Sequence, residues 1–219
     1  KSSLYKNKED IMSWPFLAVL FSGWLYIDAA YRGPNWQRWL FRPITLLLLL
    51  LWAWQVPEHS INSYLIVGAL LATLLSDVLK MFEGKYLLPS LALLFLSYIL
   101  YLISFALPLQ ISFYLPLLGF VIVAAIIVLA IIWTKLDKFA IPVLLTLLAA
   151  FAMFWVAGEK FFYLSNDYNF SIMIGSLLLV IAYSIWLINR FRFSFSASKG
   201  LVSACYFIGH FFIVRALFL

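Results

Sequence analysis

NSYLIVGALLATLLSDVLKMF, residues 62–82, carries no charged side chain until Asp77. As a helix rising 1.5 Å per residue it reaches about 30 Å, the thickness of a bilayer's hydrocarbon core. Its apolar residues run on instead of alternating with polar ones, which excludes a strand of a membrane barrel and leaves a spanning helix. Asp77 precedes Phe82 by five residues, so it lies roughly 7 Å inside the membrane boundary. At the centre of a spanning helix a carboxylate costs roughly 2.5–3.5 kcal/mol on insertion scales. A nearby cation, a water-filled cavity or the neutral protonated form must offset that cost.

The same pattern fills the chain. Of its 219 residues 66% are hydrophobic and 11% charged, whereas soluble domains have about 25% charged residues. Mean hydropathy is +1.04. Apolar runs bounded by charges or turn residues fall at 13–30, 41–56, 62–82, 86–106, 113–133, 138–157, 169–188 and 200–218. Pro43 fits the first turn of the second run, where a missing N–H costs nothing. Glu83-Gly84-Lys85 makes a tight polar turn, Pro108 and Pro116 bracket the connection between the fourth and fifth runs, and Pro142 lies just inside the sixth. The expected fold is all-α: a polytopic bundle of about eight transmembrane helices forming a single domain over 13–219. Met12, directly before SWPFLAVLFSGWL, is a candidate start, which makes 1–12 an N-terminal tail that is non-native or an upstream extension. No cleavable signal peptide is read.

Loops after odd-numbered spans carry Arg32, Arg38, Arg42, Lys80, Lys85, Lys135, Lys138, Arg190, Arg192 and Lys199. The opposite side carries Lys1, Lys6, Lys8, Lys160 and Arg215. The positive-inside rule then puts both termini on the non-cytoplasmic side, with a bacterial inner membrane as the expected location. A net charge of +6 reflects this topology and anionic headgroups, not nucleic acid. An internal similarity points the same way as the span count. GALLATLLSDVLKMF and GSLLLVIAYSIWLINRF share a pattern, and in the helices that follow them Tyr98 and His210 fall at similar depths, as a four-plus-four parallel repeat would place them.

Several polar residues fall in one layer near the basic end. Asp28 closes the first span, Arg42 and Thr45 open the second, and Tyr183 and Ser184 lie toward the end of the seventh. Lys199, Ser203, Tyr206 and His210 recur at four, three and four residues, one face of the last helix. Each has a structural reading. Asp28 with Arg32, and Asp77 with a Lys80 that snorkels outward, make ion pairs at helical spacing. His210 can be a neutral imidazole bonded to a carbonyl or a tyrosine, and Glu159 can meet water or Lys160. The functional alternative is a polar cavity inside the bundle with Asp77 as its central acid. One cysteine, Cys205, and two distant histidines, His59 and His210, give no metal-ligand spacing and no internal disulfide, and no cofactor is expected. No G-x-S-x-G, H-E-x-x-H, P-loop or dinucleotide fingerprint occurs. Acid–base chemistry on a lipid and transport both remain open.

From about Met12 to Leu219 the chain resembles the YhhN family of membrane proteins, which includes lysoplasmalogenases. YIDAAYRGPNWQRWLFRPITLLLLLLWAW (26–54) resembles the family's first loop and the K-P-L-T opening of its second span. LLSDVLKMF (74–82) resembles the S-L-x-G-D-x-L motif, and ACYFIGHFFIVRALFL (204–219) the last span of the bacterial branch. The resemblance implies an eight-helix fold that hydrolyses the vinyl ether bond of lysoplasmalogen, releasing a fatty aldehyde and a glycerophospho-headgroup. Asp77 carries over as the catalytic acid, with Asp28 or His210 as candidate partners. Arg42, Thr45, Tyr98, Tyr183, Ser184, Ser203 and Tyr206 are the candidate substrate contacts, and a membrane lysophospholipid is the expected partner. This chain departs from the pattern at four places: Ala182-Tyr183 stand where a second S-D is expected, Tyr98 where a histidine is common, Ser76 for the motif glycine and Arg42 for the motif lysine. The alternatives are a non-catalytic lipid-binding or lipid-transport protein on the same bundle and an unrelated small-molecule transporter.

Overall fold

A computed structural model describes residues 17–18, 21–25, 28, 35–57, 59–82, 85–107, 112–195 and 197–219, with backbone alone for 35–42. Helical turns at 17–18, 21–25 and 28 precede seven α-helices. These are α1 (Asn35–Trp54), α2 (Ile61–Lys80), α3 (Leu87–Ala106), α4 (Leu115–Ile132), α5 (Ala140–Tyr163), α6 (Asp167–Phe191) and α7 (Ser198–Ala216). Two short 3-10 turns, Trp133–Lys135 and Asp137–Phe139, join α4 to α5. The described residues thus form seven α-helices, the shorter helical turns and no strand, the all-α bundle expected from the apolar runs. Among the described residues, five helical stretches are long and apolar enough to cross a membrane: those of α2, α3, α5 and α6, and Leu115–Lys135, which contains α4. The tail 1–12, Arg32, Pro108 and the pair Glu83-Gly84 lie outside the described residues.

Two boundaries differ from the sequence expectation. Helix α1 begins at Asn35, so Pro43 sits inside it and not in its first turn. NWQRWLF, residues 35–41, contains no breaker, and the helix runs through it at the cost of the bond that a proline cannot donate. Helix α5 continues past 157 to Tyr163, which puts Glu159 and Lys160 on a helix instead of in a loop. Elsewhere local chemistry sets the ends. Ser60 caps α2 through a reciprocal box with Ser63, and the Asn166 side chain caps α6 by accepting from Asn169 N–H.

The helices pack in the order α1, α2, α3, α5, α6, α7, and α7 returns to α1. Helix α4 stands outside this ring against α5 and α6, and of its residues only Leu117, Val121 and Ile132 are buried. The two most extensive contacts, α2 with α3 and α6 with α7, are the hairpins that a four-plus-four repeat makes equivalent. They are held differently. Along α3, Ser90, Ser97 and Ser104 recur every seventh residue and are fully buried. Ser97 Oγ meets Thr73 Oγ1 at 2.6 Å, and Ser76 Oγ donates to Ser90 O at 2.7 Å. Such interhelical bonds contribute about 0.6 kcal/mol each in lipid. Between α6 and α7 the contact is backbone on backbone: a Cβ on Gly209 would lie 2.9 Å from Gly175 O, and one on Gly175 2.8 Å from Gly209 O. Only glycine permits that approach.

Candidate functional site

Because the helices form a ring, large side chains fill its centre. Tyr98 and Tyr101 from α3, Tyr183 from α6, and Tyr206 and His210 from α7 are all buried. Tyr98 and Tyr183 meet edge to face at 5.8 Å between ring centres. Tyr206 and His210 do so at 4.6 Å. His210 Nδ1 and Tyr101 OH are 3.0 Å apart, which fits the structural reading of that histidine. Met with this aromatic centre, Asp77 is 1% exposed. Tyr206 OH donates to its Oδ2 at 2.7 Å, and Lys80 Nζ stands 3.5 Å from Oδ1.

Lys80 does not snorkel outward. Its side chain is 12% exposed and lies with Nζ 5.2 Å from the centre of the Trp186 ring, within cation–π range. The ammonium therefore sits between a carboxylate and an aromatic face.

A small, half-open cavity lies beside it. Lys80, Leu94, Tyr98, Ala182, Tyr183, Trp186, Val202 and Tyr206 line it. Asp77 does not; it lies directly behind Lys80 and Tyr206, which do. The Tyr183 hydroxyl, beside Thr146, makes no hydrogen bond of acceptable geometry among the described residues. The lining follows the internal similarity. Ala182, Tyr183 and Trp186 repeat on α6 the spacing of Ser76, Asp77 and Lys80 on α2. One half thus presents a carboxyl and an ammonium, the other a phenol and an indole.

Of the sequence candidates, Asp77, Tyr98, Tyr183, Tyr206 and His210 gather here. The others do not. Asp28 is exposed, and no described contact joins it to Asp77. Thr45 is buried and bonds to Ser22. Ser203 donates to Lys199 O of its own helix at 2.7 Å, because a serine in a helix readily bonds the carbonyl four residues back. Ser184 is buried, and its hydroxyl has no hydrogen-bond partner among the described residues. The Arg42 side chain lies outside the described residues. Lys80, Trp186 and Tyr101 were not among the candidates. The first two stand three residues beyond Asp77 and Tyr183, the spacing of one helical face. Tyr101 had no signal beyond its place in an apolar run. Among the described residues no three His, Cys, Asp or Glu side chains gather where they could hold a metal ion.

Glu159 belongs to a separate cluster at the opposite end. It accepts from Ser112 Oγ at 2.7 Å, Tyr114 N–H at 3.0 Å and Trp155 Nε1 at 3.1 Å. Lys160 donates instead to Leu107 O at 2.9 Å, so the expected partnership of Glu159 with Lys160 is replaced. Between Ser112 and Tyr114, Phe113 adopts φ +50°, a left-handed conformation costing about 1–2 kcal/mol for a residue with a Cβ. Glu159 holds both of its neighbours, and through them the turn that starts α4.

A helical membrane bundle with a buried carboxyl, an ammonium and a ring of phenols around a small cavity is the class defined so far. The YhhN family model matches residues 37–217. Relatives named "Uncharacterized membrane protein YhhN" from two strains of Escherichia coli and from Shigella flexneri are each 43% identical over 208 residues, 95% of this chain and 100% of theirs. The chain belongs to the YhhN family and is an integral membrane protein. No solved structure matches it.

Proposed function

We propose that the protein is a membrane-embedded hydrolase of single-chain ether lipids that cleaves the vinyl ether bond of lysoplasmalogen. The observation that carries this is the buried carboxyl of Asp77, on the motif that resembles the family's, one side chain removed from a small open cavity. The chemistry needs a proton on the vinyl carbon, a negative charge beside the resulting oxocarbenium, and a base for the water that adds to it. One carboxyl can do all three in turn. Protonated at Oδ1, Asp77 gives its proton to the vinyl carbon, and the carboxylate left behind faces the cation. Water adds to the cation and returns a proton to Asp77, and the hemiacetal collapses to fatty aldehyde and glycerophospho-alcohol. Tyr206 can stay on Oδ2 throughout, because that oxygen accepts whether or not its neighbour carries the proton. Tyr98, Tyr183 and Trp186 supply a wall that excludes bulk water. Purified protein incubated with lysoplasmalogen and analysed by mass spectrometry tests this: free aldehyde supports it, and intact substrate contradicts it.

A second reading, lipid binding or transport without chemistry, is favoured by Tyr183. It stands where the family pattern has a second acid. Intact lysolipid that nonetheless binds the protein would support it. In either case the basic end faces the cytoplasm of a bacterial inner membrane and both termini face away. A reporter fused after Leu219 should be active only outside the cytoplasm, and activity confined to the cytoplasm contradicts the topology.

A further inference from the structure

The end of α6, its connection to α7 and the first turn of α7 read RFRFSFSASKG over residues 190–200: three phenylalanines and three basic residues, without an acid. From residue 168 to 219 the chain has no aspartate or glutamate at all. Connections between helices are usually polar and face water, yet here Phe193 is 57% exposed and Phe195 37%. Their rings stand 6.4 Å apart between centres. The backbone beneath them is held by the end of α6. Asn189 Oδ1 accepts from Phe195 N–H at 3.3 Å and from Ser198 Oγ at 2.8 Å, and Phe193 N–H donates to Ile188 O at 3.1 Å. The two rings are therefore kept outside the bundle by a built turn.

Arg190, Arg192 and Lys199 are exposed beside them. Arg190 lies four residues beyond Trp186, and Lys199 three before Val202. Each thus stands one helical turn from a residue of the cavity wall, on the same face. At the basic end the wall is edged by cations, with two bare phenylalanines between them along the chain.

We propose that this connection is a contact surface for an anionic lipid leaflet: Phe193 and Phe195 dip below the headgroups while Arg190, Arg192 and Lys199 hold the phosphates above. Aromatic rings settle at the boundary of the acyl chains, and basic residues at the charged surface over it. A turn that only joined two helices would need neither. The partner is bulk anionic phospholipid outside the cavity, not a substrate within it, and the contact does not depend on cleavage. It sets the rim of the cavity at the leaflet surface, so a lipid can enter without crossing water.

A label between the two phenylalanines tests this. Cys205→Ser removes the single cysteine, and Ser194→Cys then carries a bimane in protein reconstituted into nanodiscs of phosphatidylcholine with phosphatidylglycerol. A nitroxide on the acyl chain near the headgroup should quench the label, and a water-soluble quencher should not. At equal mole fraction, nitroxide-bearing phosphatidylglycerol should be enriched at the label about fivefold or more over nitroxide-bearing phosphatidylcholine, the worth of one basic residue at an anionic surface. Arg190→Gln with Arg192→Gln should lower that enrichment toward one, and Phe193→Ser with Phe195→Ser should open the label to the aqueous quencher. A wild-type label that the aqueous quencher reaches would overturn the insertion. Equal quenching by the two lipids would overturn the anionic assignment. Shielding from both quenchers would mean that a protein surface, such as a second copy, covers the connection, and would overturn the lipid contact. If the arginine variant does not reconstitute, wild type at about 0.5 M salt decides, because charges at the surface are then screened: an unchanged enrichment overturns the proposal.

Discussion

Tyr206 on α7 donates its hydroxyl to Asp77 on α2 at 2.7 Å, joining residues 129 positions apart across the centre of the bundle. This bond answers part of the cost of placing a carboxyl inside the membrane, and Lys80 answers another part. It also ties α2 to α7 beside the cavity wall. Tyr206→Phe keeps the ring and its contact with His210 but leaves Oδ2 without that donor. The expected loss is about 1–3 kcal/mol of unfolding free energy, with aldehyde release lowered in the molecules that remain folded. Unfolding in mixed micelles, followed by activity per folded molecule, checks both.

Gly209 gives a test of packing alone. A Cβ there meets Gly175 O at 2.9 Å and Leu179 Cδ2 at 3.0 Å, and the backbone oxygen cannot rotate aside. Gly209→Val should push α7 from α6 and destabilise by roughly 1–3 kcal/mol or more. Leu179→Ala would relieve only the side-chain contact, so it should not restore stability. Thermal unfolding of the single and double variants in detergent reads this.

Glu159 should behave as a structural residue despite being a buried carboxyl. Glu159→Gln replaces one of the two acceptor oxygens on which Ser112, Tyr114 and Trp155 converge with an amide NH₂ and leaves a neutral, weaker acceptor for the rest. About 1–3 kcal/mol of stability should go, and hydrogen exchange at Tyr114 N–H should rise. Aldehyde release per folded molecule should stay at the wild-type value. A selective loss of activity with stability intact would move Glu159 into the reaction.

Much of the fold was legible because lipid imposes a single rule on the backbone: a spanning segment satisfies its own hydrogen bonds, so long apolar runs become helices. The ends were less so. Glu159 and Lys160 read as a loop because they are charged, yet partners from the connection between α3 and α4 (Ser112, Tyr114 and Leu107 O) let α5 carry them on a helix. The site was legible where polarity was unusual for its depth, as for Asp77 and the Tyr206–His210 face. It was not legible for Lys80, whose place near a span end suggested snorkelling; Asp77 on its own helix and Trp186 on α6 accompany it inside the bundle instead. Thr45 and Ser203 do not line the cavity. A hydroxyl in a membrane helix finds a local partner, and the sequence does not say whether that partner is a ligand, another helix or the turn behind it.

The most direct test compares wild type and Asp77→Asn on the same lysoplasmalogen preparation, with free fatty aldehyde quantified by mass spectrometry. Asn keeps the size of the side chain and can still accept from Tyr206, but it cannot carry the proton that the vinyl carbon must receive. Wild type should release aldehyde above a protein-free blank, and Asp77→Asn should be slower by about 10²–10⁴-fold while remaining folded and still binding the lipid. Aldehyde released by Asp77→Asn at the wild-type rate, or none released by a wild type that binds the lipid, would contradict the assignment of Asp77 as the catalytic acid.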